Sequence, residues 1–560
     1  MSSARPIGCL IAACGLALAS VAVAQTVPVP LPPPADLTRP QAPIKSAPPM
    51  GEIRSAPEAA IPAEAESTSV SVTAIAVDGN TVYDAATLAA DYAGLIGRQV
   101  TLADIFRAAA RIEARYRRDG YVLARAIVPA QTVEGGAFRV HIVEGYIDAV
   151  QLSDADSAGD AAIIRRYLDP VIAAKPARID EIERALLLIN RLPGVVAHAV
   201  LTPETGVPGA ARLVIDVHRQ TLSAFATINN RGSHFAGPIT GSVGGDFNLP
   251  GGAHVGGLLF STFNSEQNYE EVSADERVGG SGLRLRGWLS NATTHPGSIL
   301  APLDIRSRSQ VGGVGADYPV VLLGALSLSA RGSLEVTEDR TSTLSTPASE
   351  DRQRVLRLGI DLQAHDRWQG LTNFSLTAHH GLDVFDASHD GGSVPQSRLG
   401  GRADFLKLTG TASRYQPLAA LDAGSIAVQL SLGGQCAADK LLALEKFHVG
   451  GEEFGRGFNP SQFSGDDGVA ESIEMQFTPA SHFGPFTAEQ LYAFFDAAAV
   501  HDRGIDGWTQ LRSAGGGMRV DLGAKLSGQF EVAVPYRGGR QDGARLDRSA
   551  QYFFRLTARY

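Results

Sequence analysis

A two-residue hydrophobic period recurs throughout residues 221–560, and it limits the possible fold more than any other feature of the sequence. In the segment 355–364, leucine or isoleucine occupies every second position, and arginine, aspartate and glutamine stand between them. The segments 282–290 and 425–434 repeat the pattern. Because successive side chains of a strand point to opposite faces, each segment is predicted to be a strand with one apolar and one polar face. Such strands are typical of a half-exposed sheet or of a transmembrane barrel.

The last strand favours the barrel over a soluble β-sandwich in the periplasm. Beyond the N-terminus, the sequence lacks the run of about eighteen apolar residues that a membrane helix needs. In residues 551–560, aromatic or apolar side chains occupy alternate positions, and the final one is Tyr560. Sixteen strands over residues 221–560 would take about 21 residues each with their connections, which suits strands of roughly ten residues. We therefore predict an all-β transmembrane barrel of about sixteen antiparallel strands.

Residues 1–24 have the features of an export signal. A positive charge precedes the apolar residues 7–23, and small residues at 22–24 form a cleavage site. A lipoprotein signal ending at Cys14 is the alternative, although its apolar run would be very short. Cleavage after residue 24 leaves one cysteine, Cys436, so the mature chain is predicted to contain no intramolecular disulfide.

Residues 25–69 are predicted to be an extended linker. They contain eleven prolines and few large apolar side chains. Such a segment cannot bury enough surface to offset the entropy lost on ordering.

Two consecutive α+β units are predicted between the linker and the barrel, over residues 70–145 and 146–220. The first contains a strand, two helices and two strands, and a capping-box pattern at Thr101 and Asp104 opens its second helix. The second unit repeats this order, with Asp180 expected to cap its second helix. Ordinary α+β domains would give the same pattern, so the pattern alone does not identify the units.

The sequence of residues 117–148 resembles the first POTRA domain of two-partner secretion transporters. In that family a Gly-Tyr pair closes the helix, here Gly120 and Tyr121. A Pro-x-Gln sequence ends a strand, here Pro129 and Gln131. POTRA domains present an edge strand beside a helix groove, which suits the capture of an extended polypeptide by β-augmentation. The resemblance therefore implies that these four residues belong to a site of polypeptide capture.

The resemblance also covers the second unit, because residues 188–195 resemble the second POTRA domain of the same family. It implies α+β POTRA domains in the periplasm followed by a barrel in the membrane. Some relatives carry a plug helix ahead of these domains, and residues 57–66 are the segment of this chain that could form one.

One arginine in the barrel region, Arg456, lies between Gly455 and Gly457 and is followed by Phe458. Glycines beside a long cationic side chain indicate a close backbone approach or a turn with positive φ. The tetrapeptide resembles the Arg-Gly-Tyr/Phe tip of a loop that folds back into the barrel in this transporter superfamily. Relatives usually have valine before the arginine, so the packing of the tip is expected to differ here.

An arginine inside a barrel needs a carboxylate, because an unpaired charge in a confined lumen is costly. The segment 491–497 alternates so that Tyr492, Phe494 and Asp496 face inward, and it resembles the family's Phe-x-Asp element. We predict a charge-assisted bond of bidentate type from Arg456 to Asp496, with Phe494 as a further lumenal partner of the loop. From the alternation alone, a solvated arginine and an unrelated aspartate remain the alternative.

The end of the last strand resembles the signal that the barrel assembly machinery recognises, with Phe554 and Tyr560 as its aromatic residues. Most relatives end in phenylalanine rather than tyrosine. The resemblance implies that this machinery is a partner during biogenesis.

Motifs of catalysis are absent from the sequence: it has no nucleophile elbow, phosphate-binding loop, zinc-protease motif or Cys-x-x-Cys. His379 and His380 are adjacent on a predicted strand, so they face opposite ways and cannot share a metal there. The acid pairs at 452–453 and 466–467 lie in glycine-rich segments and are expected to be solvated. We predict no catalytic residue, no metal and no cofactor, and a net charge of -10 argues against nucleic acid as a partner.

The function implied by the resemblance is type V, two-partner secretion. The chain would be a pore in the outer membrane of a Gram-negative bacterium, surrounded by outer-membrane lipid, and would export one large protein that is unfolded in the periplasm. An assembly factor that inserts other barrels shares the arginine loop but typically carries three or more POTRA domains. A passive porin is the less favoured alternative, because it would leave residues 70–220 unexplained.

Overall fold

The computed structural model describes residues 61–152, 159–204, 206–482, 484–538 and 548–560. The predicted export signal, most of the predicted linker and the first part of the possible plug helix lie outside the described residues. The described part of that segment contains a 3₁₀ turn at Ala63–Glu66. Within the described ranges, no helix is both long and apolar enough to cross a bilayer.

The first α+β unit packs its long helix against a three-stranded sheet. Ile105, Ile112 and Tyr116 of the helix are buried against Phe138 and Val140 of the sheet. The predicted first strand is split in two, and its first part pairs with a further short strand in a separate two-stranded sheet. The elements are β1 (Ser69–Ser71), β2 (Ala74–Asp78), α1 (Ala85–Ala89), β3 (Gln99–Thr101), α2 (Leu102–Arg118), β4 (Arg125–Ile127) and β5 (Ala137–Val143), with the sheet order β2-β5-β4.

Helix α2 begins and ends on local signals. The side chain of Thr101 accepts a bond from the Asp104 amide at 3.3 Å, and Asp104 bonds back to Thr101, which completes the predicted capping box. At the other end Gly120 has a φ of +95°, and the Tyr121 amide donates to the Tyr116 carbonyl at 2.9 Å. This is a Schellman-type ending, in which glycine accepts the left-handed conformation at little cost.

The second unit has the same architecture. It consists of β6 (Tyr146–Leu152), α3 (Ala161–Ala173), α4 (Ile179–Ile189), β7 (Val195–Pro203) and β8 (Ala210–Arg219), with the sheet order β6-β8-β7. The prediction that Asp180 caps α4 is wrong, because the helix begins two residues earlier than predicted and Arg178 holds the cap position. The Asp180 carboxylate instead binds the Arg178 guanidinium at 2.9 Å and 3.0 Å.

In the rest of the chain, as far as the structure describes it, sixteen strands form a closed antiparallel barrel, which confirms the predicted fold class. Each barrel strand pairs with the next barrel strand along the chain, and the last barrel strand pairs with the first. The strands are β9 (Leu222–Asn229), β10 (Thr240–Asn248), β11 (Ala253–Thr262), β12 (Gln267–Val278), β13 (Leu283–Thr294), β14 (Arg306–Leu322), β15 (Leu326–Thr343), β16 (Thr346–His365), β17 (Leu371–Gly381), β18 (Leu406–Leu421), β19 (Gly424–Ala437), β22 (Asp467–Pro479), β23 (Ala488–His501), β24 (Thr509–Leu522), β25 (Leu526–Arg537) and β26 (Gln551–Arg559). Two short strands of the chain, β20 (Phe447–Val449) and β21 (Phe463–Gly465), lie outside the barrel sheet and pair with each other.

The outer face of the barrel carries the apolar half of each alternating segment. Leu289 is 64% exposed, Leu358 56% and Leu432 51%, as a lipid-facing side chain should be. The polar half points inward, where Arg357 binds Glu335 at 2.6 Å across two strands. Polar groups therefore occupy the lumen.

The second unit lies against one rim of the barrel, which we call the periplasmic rim because the resemblance places this unit in the periplasm. The Gly251 amide, in the turn after β10, donates to the Asp160 carboxylate at 2.7 Å. Strands β9 and β26 meet at the seam with five residue pairs, whereas β9–β10 and β25–β26 have eight each. Beyond the last pair, the Asn230 side chain bonds the backbone of Tyr552 and Phe554 at 2.8 Å each.

Candidate functional site

The long connection between β19 and β22 folds back into the barrel. We call residues 438–466 the inward loop. Its side chains Val449, Phe454 and Phe458 are buried against Val500 and Leu511 of the wall. An apolar contact of this kind contributes to holding the loop inside the lumen.

Glycines let the tip of the inward loop approach the wall closely. Gly455 has a φ of +105°, and a Cβ at that position would lie 2.8 Å from a methyl group of Leu511. A Cβ on Gly457 would lie 2.9 Å from the backbone nitrogen of Pro535. A β-branched residue is strained at positive φ, so glycine, rather than the valine usual in relatives, suits the backbone at position 455.

Arg456 binds the wall through its whole guanidinium group. Its Nε and Nη2 donate to the two oxygens of Asp496 at 3.1 Å and 2.9 Å, and its backbone amide donates to the same carboxylate at 2.9 Å. The guanidinium carbon lies 3.5 Å from the centre of the Phe494 ring. Arg456 is only 6% exposed and Asp496 is fully buried. The structure thus brings together three of the residues that the sequence selected.

Two further side chains complete this site and were not predicted. Glu474 accepts a bond from Arg456 Nη1 at 2.7 Å, and Ser472 accepts one from Nη2 at 2.9 Å. Both lie on β22, whose alternating pattern could have identified them, since Ile473 and Met475 between and beyond them face lipid. Arg519 of β24 also binds Glu474 at 2.7 Å. Glu531, which is fully buried, lies 3.8 Å from Arg456 Nη1, so the two arginines face three carboxylates in this cluster.

The base of the inward loop has a second ionic attachment on another part of the wall. Glu445 lies 2.6 Å from Lys407 Nζ on β18 and 2.9 Å from Arg357 Nη2 on β16. Glu445 and Lys407 are both more than 90% buried. The loop is consequently fixed at its tip and at its base by separate charge pairs.

The expectation that both acid pairs are solvated is wrong for Asp466. It is fully buried and accepts bonds from the backbone amides of Leu441 and Arg503 at 2.8 Å each. The loop closes over this carboxylate and gives it backbone partners, which glycine-rich sequence alone does not reveal. Glu452 is exposed, as expected, and binds Arg555 of β26.

The four POTRA motif residues lie in two separate places. Gly120 and Tyr121 are at the junction of the units, where the Ile179 amide donates to the Gly120 carbonyl at 2.9 Å and Arg178 lies over the Tyr121 ring. By contrast, Gln131 bonds both backbone groups of Arg139 at 2.8 Å and 2.9 Å, which fixes the segment after β4 on β5. Pro129 is half-buried in that segment.

The carboxylate of Glu144, at the end of the first unit, links three segments of that unit by hydrogen bonds. Glu144 accepts bonds from the Thr81 and Val82 amides, at 2.7 Å and 3.0 Å, and from the Tyr116 hydroxyl at 2.6 Å. Burial alone would raise the pKa of Glu144, but the bonds from Thr81, Tyr116 and Val82 outweigh it and lower the pKa. The carboxylate therefore remains charged at neutral pH.

The remaining predicted positions lie on the barrel wall. Phe554 on β26 and Tyr560, directly after this strand, are both exposed, and the backbone of Tyr560 pairs with Ala224 across the seam. His379 is buried while His380 is exposed on the other face of β17. Within the described ranges, no cluster of three or more histidine, cysteine or acidic side chains could hold a metal ion.

A closed sixteen-stranded barrel with an internal arginine loop and two α+β units at its periplasmic rim defines an outer-membrane transporter of the POTRA class. Residues 70–145 match the family model described as POTRA domain, ShlB-type. Residues 301–520 match the model described as Haemolysin secretion/activation protein ShlB/FhaC/HecB. The chain belongs to this family of two-partner secretion transporters, which reside in the outer membrane and secrete partner exoproteins across it.

Individual relatives agree with this assignment. The chain is 22% identical to the heme/hemopexin transporter protein HuxB of Haemophilus influenzae, over 79% of each chain. It is 24% identical to the outer membrane transporter CdiB of Dickeya dadantii, over 79% of this chain and 78% of that one. The solved structure of CdiB from Escherichia coli shares the fold, with a TM-score of 0.72, 18% identity and coverage of 90% of this chain and 94% of that chain.

Proposed function

We propose that this transporter captures a large, unfolded exoprotein with its POTRA domains and passes it through the barrel while the inward loop sets the pore geometry. The observation that carries the proposal is the buried Arg456 cluster, which attaches a loop inside the lumen to the wall by Asp496 and Glu474. Because only a few charge pairs attach this loop to the barrel wall, the loop can occupy two positions. In one position it is bound to the wall, and in the other these pairs are broken and the loop is released. The proposed domains are 70–145, 146–220 and 221–560.

Capture is proposed to use the edge strands of the POTRA sheets. Strand β7 is an edge strand of the second sheet, and Val196 and Val200 on it are 42% and 45% exposed. An edge strand offers unpaired backbone groups and alternate side-chain positions to an extended peptide. In the first domain, Pro129 and Gln131 shape the segment beside edge strand β4, while Gly120 and Tyr121 set the angle between the domains.

No catalytic step is part of the proposal, and no cofactor is required. Folding of the exoprotein outside the cell would supply the driving free energy. Lipid would contact the apolar outer face, and the barrel assembly machinery would recognise the strand that carries Phe554 and Tyr560. The assembly-factor alternative is weaker, since the structure describes two POTRA-type units, and a passive porin would not need them.

The capture role is tested by deleting residues 70–145. Domains of this size fold independently, so the barrel should still reach the outer membrane, while secretion of the exoprotein should be lost. Immunoblots of outer-membrane fractions and culture medium would measure both quantities. Undiminished secretion by the deletion variant would exclude capture by the first domain.

A further inference from the structure

Two arginines of the second POTRA domain reach the periplasmic rim of the barrel. Arg184 lies on helix α4, and Arg191 lies two residues beyond the end of that helix. Arg184 donates to the backbone carbonyl of Pro319 at 3.3 Å, and Arg191 donates to the Ser327 hydroxyl at 2.7 Å. The helix and the residues just after it thus place two cations at the entrance of the lumen.

Three arginines of the barrel wall lie at the same rim. Arg277 is on β12, and Arg284 and Arg286 are on β13. Leu285, between the last two, is 46% exposed towards lipid, so its neighbours face the lumen. Arg277 also donates to the backbone carbonyl of Arg191 at 3.0 Å, which brings the wall and helix groups together. We call these five residues the rim arginines.

Carboxylates balance the rim arginines only in part. Asp275 binds one wall arginine, and Asp317 lies 3.1 Å and 3.6 Å from the other two. Glu183 is close by, against the turn at Gly324. Five cations therefore face three carboxylates. Among the described residues, the guanidinium groups of Arg184 and Arg191 donate only to neutral oxygens.

The electrostatic effect of this excess appears at Arg191. Desolvation beneath the rim and the nearby cations Arg277, Arg184 and Arg284 together lower the pKa of Arg191. Like charges in proximity disfavour the charged form, and an added anion would relieve that cost. The positive rim contrasts with the chain as a whole, whose net charge is -10.

We propose that the rim arginines form an entry site that binds carboxylate-rich segments of the unfolded exoprotein as they pass from the second POTRA domain into the barrel. Arginine forks match carboxylates in geometry as well as in charge. The site lies between the capture domains and the lumen, where a polypeptide in transit must pass. The inference rests on the proposed function, because that function supplies the exoprotein as ligand.

The test is binding of fluorescein-labelled poly-L-glutamate to the purified full-length protein in detergent, followed by fluorescence anisotropy. The double variant Arg184→Gln/Arg191→Gln should weaken binding about five- to tenfold, since each partly exposed pair contributes modestly. The variant Arg184→Lys/Arg191→Lys keeps the charge and should restore most of the affinity. A matched control, Arg118→Gln/Arg402→Gln, removes the same charge from exposed positions away from the rim.

The outcomes distinguish specific binding at the rim arginines from non-specific charge attraction. They also distinguish failure of the entry site from failure of the proposed secretion function. Equal weakening in the control, or wild-type affinity in the rim variant, would overturn the inference. Secretion of the exoprotein by the rim variant should be slowed in the same cells. Weak polyglutamate binding by the wild-type protein alongside normal secretion would remove the entry site and leave the proposed function intact. Failure of the wild-type protein to secrete any exoprotein would instead count against the proposed function.

Discussion

The burial of Arg456 determines how much its ion pairs contribute to holding the inward loop on the barrel wall. A charged group in a confined lumen loses water, and the fork to Asp496 replaces that hydration with directed bonds. Phe494 covers the guanidinium face, and Glu474 takes the remaining nitrogen. Each of these groups therefore depends on the presence of the others.

Single changes in this cluster should impair secretion more than barrel assembly. Arg456→Ala leaves Asp496 without its cation, and losing one member of a buried pair costs about 3 to 5 kcal/mol. Asp496→Ala should be milder, because Glu474 still binds the arginine. Arg456→Lys should also be defective, since an ammonium group does not reproduce the planar fork. Secretion would be compared with the amount of heat-modifiable barrel in the outer membrane.

The double variant Arg456→Ala/Asp496→Ala supplies the coupling measurement. Its secretion defect should be clearly smaller than the sum of the single defects, because both buried charges are removed together. Arg402→Ala, at an exposed position outside the cluster, is the control for loss of one arginine. Additive defects would show that the two residues act independently, contrary to the geometry.

At the scale of elements, the inward loop is held by two separate attachments. The tip binds β22 and β23, and Glu445 at the base binds β16 and β18. The hydrophobic cluster around Phe454 and Phe458 lies between them. Movement of the whole loop therefore requires more than release of the tip.

Glu445→Gln should loosen the base of the loop and leave the tip contacts in place. The substitution removes the carboxylate that binds buried Lys407, which is costly, whereas Arg357 keeps its bond to Glu335. We expect faster trypsin cleavage within the loop, after Lys446, in the purified protein. Glu453→Gln is the matched control in the same loop, since Glu453 is exposed. Identical cleavage rates for both variants and the wild type would contradict the second attachment.

At the scale of the whole molecule, one continuous hydrogen-bonded sheet closes around a polar lumen. Closure removes the exposed strand edges that lipid cannot satisfy. The seam between β9 and β26 has fewer paired residues than the neighbouring strand pairs. The side-chain amide of Asn230 adds two hydrogen bonds to backbone groups beyond the last of these pairs.

The purified protein should therefore conduct ions in planar bilayers and migrate differently on gels before and after heating. Both expectations follow from a closed barrel with a polar interior. Single-channel recording and unheated electrophoresis would measure them. A protein that is extracted without detergent and does not conduct would exclude the barrel.

Local pattern was sufficient for much of the architecture. Alternation in segments such as 355–364 predicted which side chains face lipid, because the two-residue period of a strand is independent of its neighbours. The capping box at Thr101 likewise depends on residues three positions apart. The position of Asp180 was predicted wrongly, because aspartate is favoured at a helix start but here lies inside the first turn and binds the Arg178 guanidinium.

The partners inside the lumen were decided by tertiary structure. Glu445 meets Lys407 and Arg357, and Arg191 of a periplasmic domain meets Arg277 of the wall, across separations that no local pattern encodes. Barrel closure and the return of the inward loop set these distances. The sequence by itself determined which way each strand faces, because that depends on neighbouring residues, whereas the charge pairs depend on which strands and loops the closed barrel brings within hydrogen-bonding range.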